Sequence, residues 1–170
     1  MNIDKIQVRE ASIEELEAWW DKKIDAQPEN IAYKEWKNNF VEGNKQGNRK
    51  TFFAFDENNS YIGQGTLSIV SEDDDLTNNG KAEIIKFEVN RDMRGNGICS
   101  KIYKKIVEYA KSIGIKTLTI GVEPRETRNI QIYFHWGFLD FIKLTSETYP
   151  PRGPGLEPET VYVLYYKKEI

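Results

Sequence analysis

The run Arg94-Gly95-Asn96-Gly97-Ile98-Cys99-Ser100 holds the residues whose types and spacing point most directly to chemistry. Two glycines one residue apart, followed at once by apolar residues at helical spacing, describe a tight loop that opens into a helix. Such a loop leaves main-chain N–H groups unpaired at the positive end of the helix dipole and aims them outward, where a phosphate or diphosphate is the natural guest. Gly95 and Gly97 lack a Cβ, so an anion can approach the backbone closely and the chain can take positive φ where the turn requires it.

A loop of this kind needs a strand before it and a helix after it. Upstream, Ile84, Ile85, Phe87 and Val89 mixed with Glu88 predict a half-buried strand over Glu83–Val89. Downstream, Ile98, Ile102, Ile106, Ala110 and Ile113 predict an amphipathic helix with lysines on its other face, stopped by Gly114. Ile115–Val122 then reads as a strand parallel to Glu83–Val89 after a right-handed crossover.

The remainder alternates similarly. Ile3, Ile6 and Val8 predict a first strand ending near Arg9, and Ser12 with Glu15 predicts a capping box. The helix behind it buries Leu16, Trp19, Trp20 and Ile24 and closes at Pro28, and a second helix runs from about Glu29 to Val41. A loop over Gly43–Gly47 leads to strands Thr51–Phe55 and Tyr61–Val70, joined by the turn residues Asp56, Asn58, Asn59 and Ser60. Ser71–Gly80 is a charged loop. Beyond Pro124 the pattern predicts a helix from about Glu126 to Trp136 stopped by Gly137, a strand Phe138–Thr145, a long irregular tract Tyr149–Pro158, and a last strand Val161–Lys167.

The segment Val-Asn-Arg-Asp-Met-Arg-Gly-Asn-Gly-Ile-Cys-Ser ending at Ser100 resembles the acetyl-CoA-binding signature of the GNAT acyltransferases, Gln/Arg-x-x-Gly-x-Gly/Ala. Arg94, Gly97 and Cys99 take its three defined positions, cysteine replacing glycine or alanine at the third. Tyr133-Phe134-His135-Trp136-Gly137-Phe138 resembles the Tyr-x-x-x-Gly-Phe ending of the family core. The resemblance implies an α/β fold of α+β type: a twisted, mixed, mostly antiparallel sheet flanked by helices, whose two central parallel strands splay apart to admit the cofactor. It is specific over 83–138 and extends across most of the chain.

The same resemblance implies the site. Acetyl-CoA is the cofactor, held by Arg94, Gly95, Asn96, Gly97, Ile98, Cys99 and Ser100, with Phe87, Glu88 and Val89 at the distorted end of the central strand, where an unpaired N–H meets the acyl carbonyl. Tyr133 lies beside the cofactor sulfur as general acid. The family's asparagine seven residues before this tyrosine is Glu126 here, and Asn129, one helical turn on, is the residue placed to substitute. Direct attack by an amine needs a base to remove an ammonium proton, and the sequence offers Glu83, Glu88 or a water relay.

The other residues with reactive types read as structural. Cys99 belongs under the phosphates rather than in acyl-cysteine chemistry. His135, the sole histidine, closes a helix, and no Cys/His/Asp cluster has metal-ligand spacing. Trp19, Trp20, Trp36 and Phe40 supply core and acceptor-wall packing. A Rossmann site would place a third glycine where Ser100 stands, and a nucleoside triphosphatase loop would need Gly-Lys-Ser/Thr.

The 170 residues suit one N-acyltransferase domain, residues 1–170, and too few remain for a second. A net charge of −3 argues against nucleic acid and leaves a cationic acceptor open. No apolar run spans a bilayer, the start lacks the build of a secretory signal, and Cys99 is alone, so a cytoplasmic location is expected. The expected activity is transfer of acetyl from acetyl-CoA to a primary amine of a small molecule, with the acidic Glu72–Asp75 run and the Tyr149–Pro158 loop selecting a compact cation. A protein amine, a non-catalytic acyl-CoA-binding module and a scaffold are the competing readings, and relatives leave a homodimer open.

Overall fold

Strand alternation and a four-residue helical repeat divide the side chains between the two faces of one seven-stranded sheet. The structure is a computed structural model and describes residues 3–151 and 153–170. In chain order the elements are β1 (Gln7–Glu10), α1 (Ile13–Ala26), α2 (Ala32–Lys45), β2 (Arg49–Phe55), β3 (Tyr61–Ser68), β4 (Lys81–Val89), α3 (Ile98–Ser112), β5 (Thr117–Val122), α4 (Thr127–His135), β6 (Asp140–Tyr149) and β7 (Glu159–Glu169). The strand order is β1-β2-β3-β4-β5-β7-β6, antiparallel throughout except between β4 and β5.

On one face lies α3. Its residues Ile98, Ile102, Ile106 and Ala110 form a single stripe, each exposed by 1% or less, packed with Leu67, Ala82, Ile84, Leu118, Ile120 and Phe138. Full burial of an isoleucine stabilises by roughly 1.5–3 kcal/mol, so this stripe alone fixes α3 on the sheet. On the other face α1 and α2 enclose a separate cluster of Leu16, Trp19, Trp20, Val41, Phe53 and Phe55. The Ser12 capping box starts α1, and Arg9 grips the same Glu15 with two hydrogen bonds of 2.6 and 2.7 Å, tying the end of β1 to the helix.

Several boundaries differ from the sequence pattern. Ile3–Lys5 is a 3₁₀ turn, because Ile3 and Ile6 pack against the α3 cluster from a turn rather than alternating in a strand. The second helix runs through Gly43 to Lys45, leaving only a short turn where a loop was expected; a Cβ at Gly43 would sit 2.8 Å from Arg49 Cδ, so the glycine serves close packing. Strand β3 stops at Ser68 because Ile69 and Val70 donate their N–H groups to Asn48 O. Ile24 is only half-buried. Phe138 lies in the core ahead of β6, and β6 continues past Thr145 to Tyr149, paired with β7 up to Tyr149↔Glu159.

The sheet is distorted at its centre. Between Gln64↔Glu88 and Thr66↔Ile85 the register slips, so Gly65 faces both Lys86 and Phe87, and Lys86 adopts φ +51°. This is a β-bulge. It changes which side chains face α3: Ala82 and Ile84 do so before it, Phe87 and Val89 after it. Strands β4 and β5 pair only from Lys81↔Thr117 to Ile84↔Ile120, after which β5 follows β7. From Ile85 to Val89 the β5 side of β4 is therefore open.

A Cβ at Gly65 would meet Ile102 Cγ2 and Ile106 Cδ1 at 2.9 Å and Phe87 Cε2 at 3.2 Å, all in packed surroundings. Gly65→Ala is expected to lower unfolding stability by about 1–3 kcal/mol, read from a urea melt; an unchanged midpoint would show that the core yields freely.

Candidate active site

The loop between β4 and α3 is built to leave its amides free. Arg94 Nε donates to Val89 O at 3.0 Å, folding the loop back on the end of β4, and Asn96 Nδ2 donates to Met93 O at 3.0 Å. Gly95 and Gly97 take φ of +85° and +74°, and Gly97 leads into α3 with no side-chain cap. None of the N–H groups of Gly95, Asn96, Gly97, Ile98, Cys99 or Ser100 donates to a described residue. Gly95, Asn96 and Gly97 are exposed, Cys99 and Ser100 half-buried and Ile98 buried as a core anchor. Burial pushes the Cys99 thiol up, with Arg94 and Arg128 opposing, so it stays a thiol.

Beside this loop lies a cavity of about 610 Å³, lined by Phe87, Glu88 and Val89 on β4, by the loop and the start of α3, and by Arg128, Asn129 and Ile132 on α4. A second cavity, of about 290 Å³, sits between the parted strands and shares Phe87, Glu126 and Asn129 with the first. Glu83, Tyr133, Glu147, Tyr149 and Tyr165 line it. Asn129 thus faces both spaces, and its side chain takes no partner among the described residues. His135 is exposed at the rim of the larger cavity.

The two carboxylates on β4 differ. Glu88 accepts a hydrogen bond from Lys23 at 2.9 Å and lies 3.6 Å from Lys86 Nζ. Burial pushes its pKa up, but the Lys23 hydrogen bond and the charges of Lys86 and Lys23 outweigh that and hold the carboxyl below its ordinary value. Glu83 has neither a hydrogen bond nor an ion pair with a described residue. Burial, then the charges of Glu147 and Asp73, raise its pKa to about 7, against a weaker opposite pull from Arg49 and Lys143. Its proton is thus poised for exchange at neutral pH, whereas Glu88 is already committed to its lysines. Tyr133, packed among Trp136 and Phe138, has its phenol pushed up by burial and by Glu126, and its hydroxyl has no partner among the described residues.

The acidic run after β3 is placed differently from the expectation. Lys143 Nζ binds Asp73 at 2.6 Å and Asp75 at 3.2 Å, and none of Glu72–Asp75 lines either cavity. The carboxylates at the smaller cavity are instead Glu83, Glu126, Glu123 with its partner Arg125, and Glu147, which the sequence pattern left unmarked. Its signal was present: Glu147 and Tyr149 alternate on β6, and Tyr165 follows Val161 and Val163 at inward positions of β7. Strand pairing across the irregular tract was needed to bring them together.

The profile of the acetyltransferase (GNAT) family matches residues 9–138, and the chain belongs to that family of acetyl-CoA-dependent N-acetyltransferases. No curated protein sequence matches. Among solved structures, the chain is similar to ribosomal-protein-alanine N-acetyltransferase from Brucella melitensis (17% identity, 96% of this chain and 99% of that one, TM-score 0.69). It is also similar to Arabidopsis thaliana NAA60 in complex with a bisubstrate analogue (20%, 97% and 98%, TM-score 0.68) and to yncA from Salmonella typhimurium with its cofactor acetyl-CoA (13%, 96% and 93%, TM-score 0.67). At these identities the likeness concerns the fold. Mixed sheet, parted parallel strands and flanking helices agree with it.

The residues present fit acetyl-CoA: unpaired amides converge at an exposed, glycine-lined helix start, and a cavity leads from them towards the open edge of β4. Among the described residues no helix is long and apolar enough to cross a membrane. Gly95→Val puts a branched side chain at φ +85° over those amides. It is expected to weaken coenzyme A binding at least about tenfold by calorimetry, equivalent to about 1.4 kcal/mol. Unchanged affinity would remove the loop from the cofactor site.

Proposed function

We propose that the chain is a single N-acyltransferase domain that acetylates a primary amine of a small molecule, with the amine bound in the cavity between β4 and β5. The observation that carries this is the smaller cavity itself: it joins the cofactor-side cavity at Phe87, Glu126 and Asn129, and an unpaired carboxylate, Glu83, lines it. At about 290 Å³ it falls near the lower end of the roughly 300–1,000 Å³ typical of ligand sites, which favours a compact acceptor. Neighbours whose names mention ribosomal-protein alanine support a protein amine as the second reading.

When bound, acetyl-CoA supplies an acetyl thioester. The loop amides of Gly95–Ser100 would hold its diphosphate, Arg94 fastens the loop to the end of β4, and Asn129, which faces both cavities, would hydrogen-bond to the acyl-bearing part. A main-chain N–H left unpaired in the bulged stretch Phe87, Glu88 and Val89, on the side where β5 has left β4, would be the donor to the acyl oxygen. Glu83 takes the proton from the acceptor ammonium and frees its lone pair for attack. Tyr133 holds a proton at a hydroxyl with no competing partner among the described residues and would give it to the departing sulfur. One N–C bond replaces one C–S bond; the nitrogen, still carrying a surplus proton once bonded to the acyl carbon, would return it to the Tyr133 phenolate, so the net release is the single proton taken by Glu83. Glu88 serves as a structural anion between Lys23 and Lys86.

A free-thiol release assay over an amine panel tests the reading. Tyr133→Phe is expected to lower kcat about a hundredfold with coenzyme A affinity retained; equal rates would exclude it as the acid. For the wild type, kcat/KM is expected to rise with pH through about 7 as Glu83 loses its proton, and Glu83→Gln to lose that limb.

The same group has a signature in stability. Folding raises the Glu83 pKa from 4.5 to about 7, so the folded chain keeps this proton where the unfolded chain releases it, and the group weighs against folding increasingly as pH climbs through that window. Glu83→Gln is expected to melt higher than wild type at pH 8 and to lose that advantage near pH 4; a lower melting temperature at pH 8 would contradict the burial assigned to the carboxylate.

A further inference from the structure

The smaller cavity contains more negative charge than proton transfer needs. Glu147 projects from β6 with each carboxylate oxygen accepting a phenol: Tyr165 Oη donates to Oε1, and Tyr149 Oη donates to Oε2 at 3.1 Å. Two phenols orient the carboxylate without neutralising it, and lone pairs remain for a further donor. No lysine or arginine pairs with Glu147 or with Glu83 among the described residues. Among the described residues the one cationic side chain lining the cavity, Lys86, is committed elsewhere, 3.6 Å from Glu88 and 5.6 Å from the Trp19 and Trp20 rings. Glu123, by contrast, has its own counter-ion in Arg125 at 2.6 Å.

Of the other carboxylates lining this cavity, Glu126 is exposed where the two cavities meet, whereas Glu83 and Glu147, close enough for the charge of Glu147 to act on Glu83, are costly to hold together unless cations arrive. A monoamine satisfies one of them. A molecule with two ammonium groups satisfies both. We propose that the acceptor is a small aliphatic diamine whose reacting amine lies at Glu83 and whose second ammonium is held by Glu147, making Glu147 the residue that sets specificity. This rests on the small-molecule reading above and narrows it. The same geometry disfavours α-amino acids and other zwitterions, since a carboxylate at the far end would meet Glu147. The cavity volume of about 290 Å³ disfavours multi-ring amines.

Three acceptors of one chain length and different far ends isolate the effect: 1,4-diaminobutane, 1-aminobutane and 4-aminobutanoate, assayed by thiol release with acetyl-CoA. The diamine is expected to exceed the monoamine at least tenfold in kcat/KM, and the zwitterion to be poorest. Glu147→Gln is expected to raise KM for the diamine about tenfold with little change in kcat, bringing the diamine-to-monoamine ratio towards one. Glu108→Gln, an exposed carboxylate on α3 that lines neither cavity, should leave the ratio as in wild type. Equal efficiency for diamine and monoamine, or a ratio that survives Glu147→Gln, overturns the assignment while leaving the small-molecule reading intact. Turnover of none of the three, in protein that binds coenzyme A by calorimetry, overturns both. Binding of 1,4-diaminobutane to the coenzyme A complex, measured directly, gives a readout independent of turnover and should weaken tenfold in Glu147→Gln; equal binding by the variant also overturns the assignment.

Discussion

One extra residue in β4 governs the site. Because Lys86 and Phe87 together oppose Gly65, the strand changes phase, so Phe87 and Val89 continue the α3 face while Lys86 and Glu88 join Glu83 on the side of α1. The same distortion follows the point where β4 leaves β5, and it can be accommodated only because Gly65 leaves room for Phe87 over Ile102 and Ile106. A regular strand would pair to its end, close the gap between the cavities and send Glu88 into the core. Lys86 accepts a left-handed backbone, a conformation costing of order 1–3 kcal/mol outside glycine, and the contacts of its stem and ammonium with Trp19, Trp20 and Glu88 hold it there.

The cofactor half was legible from residues close in sequence. Strand, glycine loop and helix span 81–112 without interruption, and the apolar repeat of α3 specifies both its length and its buried face. The loop glycines read directly as the positive-φ positions they occupy. Tyr133 and Asn129 share a face of α4, one turn apart, and both line the smaller cavity. What local reading could not resolve there was the choice between Glu83 and Glu88, since that depends on two lysines, one of them 65 residues away on α1.

The lining of the smaller cavity was not legible in this way. Glu147, Tyr149 and Tyr165 meet through pairing of β6 with β7 across an irregular tract, and nothing local marks a carboxylate in an alternating strand as inward-facing until its partner strand is known. The conspicuous acidic run near Asp73 drew attention away from it, yet Lys143 occupies that charge. Boundaries were misplaced for similar reasons: Gly43 reads as a helix stop until Arg49 is seen to lie against it, and Ile3 reads as strand until α3 supplies its contact.

Two hydrophobic clusters lie on opposite sides of the sheet and share no buried residue: one under α3 supports the glycine loop, the other holds α1 and α2 on the opposite face. Substitutions in the indole-rich cluster can therefore repack α1 and α2 while the stripe of α3 beneath the glycine loop keeps its contacts. A chassis divided in this way lets one layer of helices vary while the other stays folded.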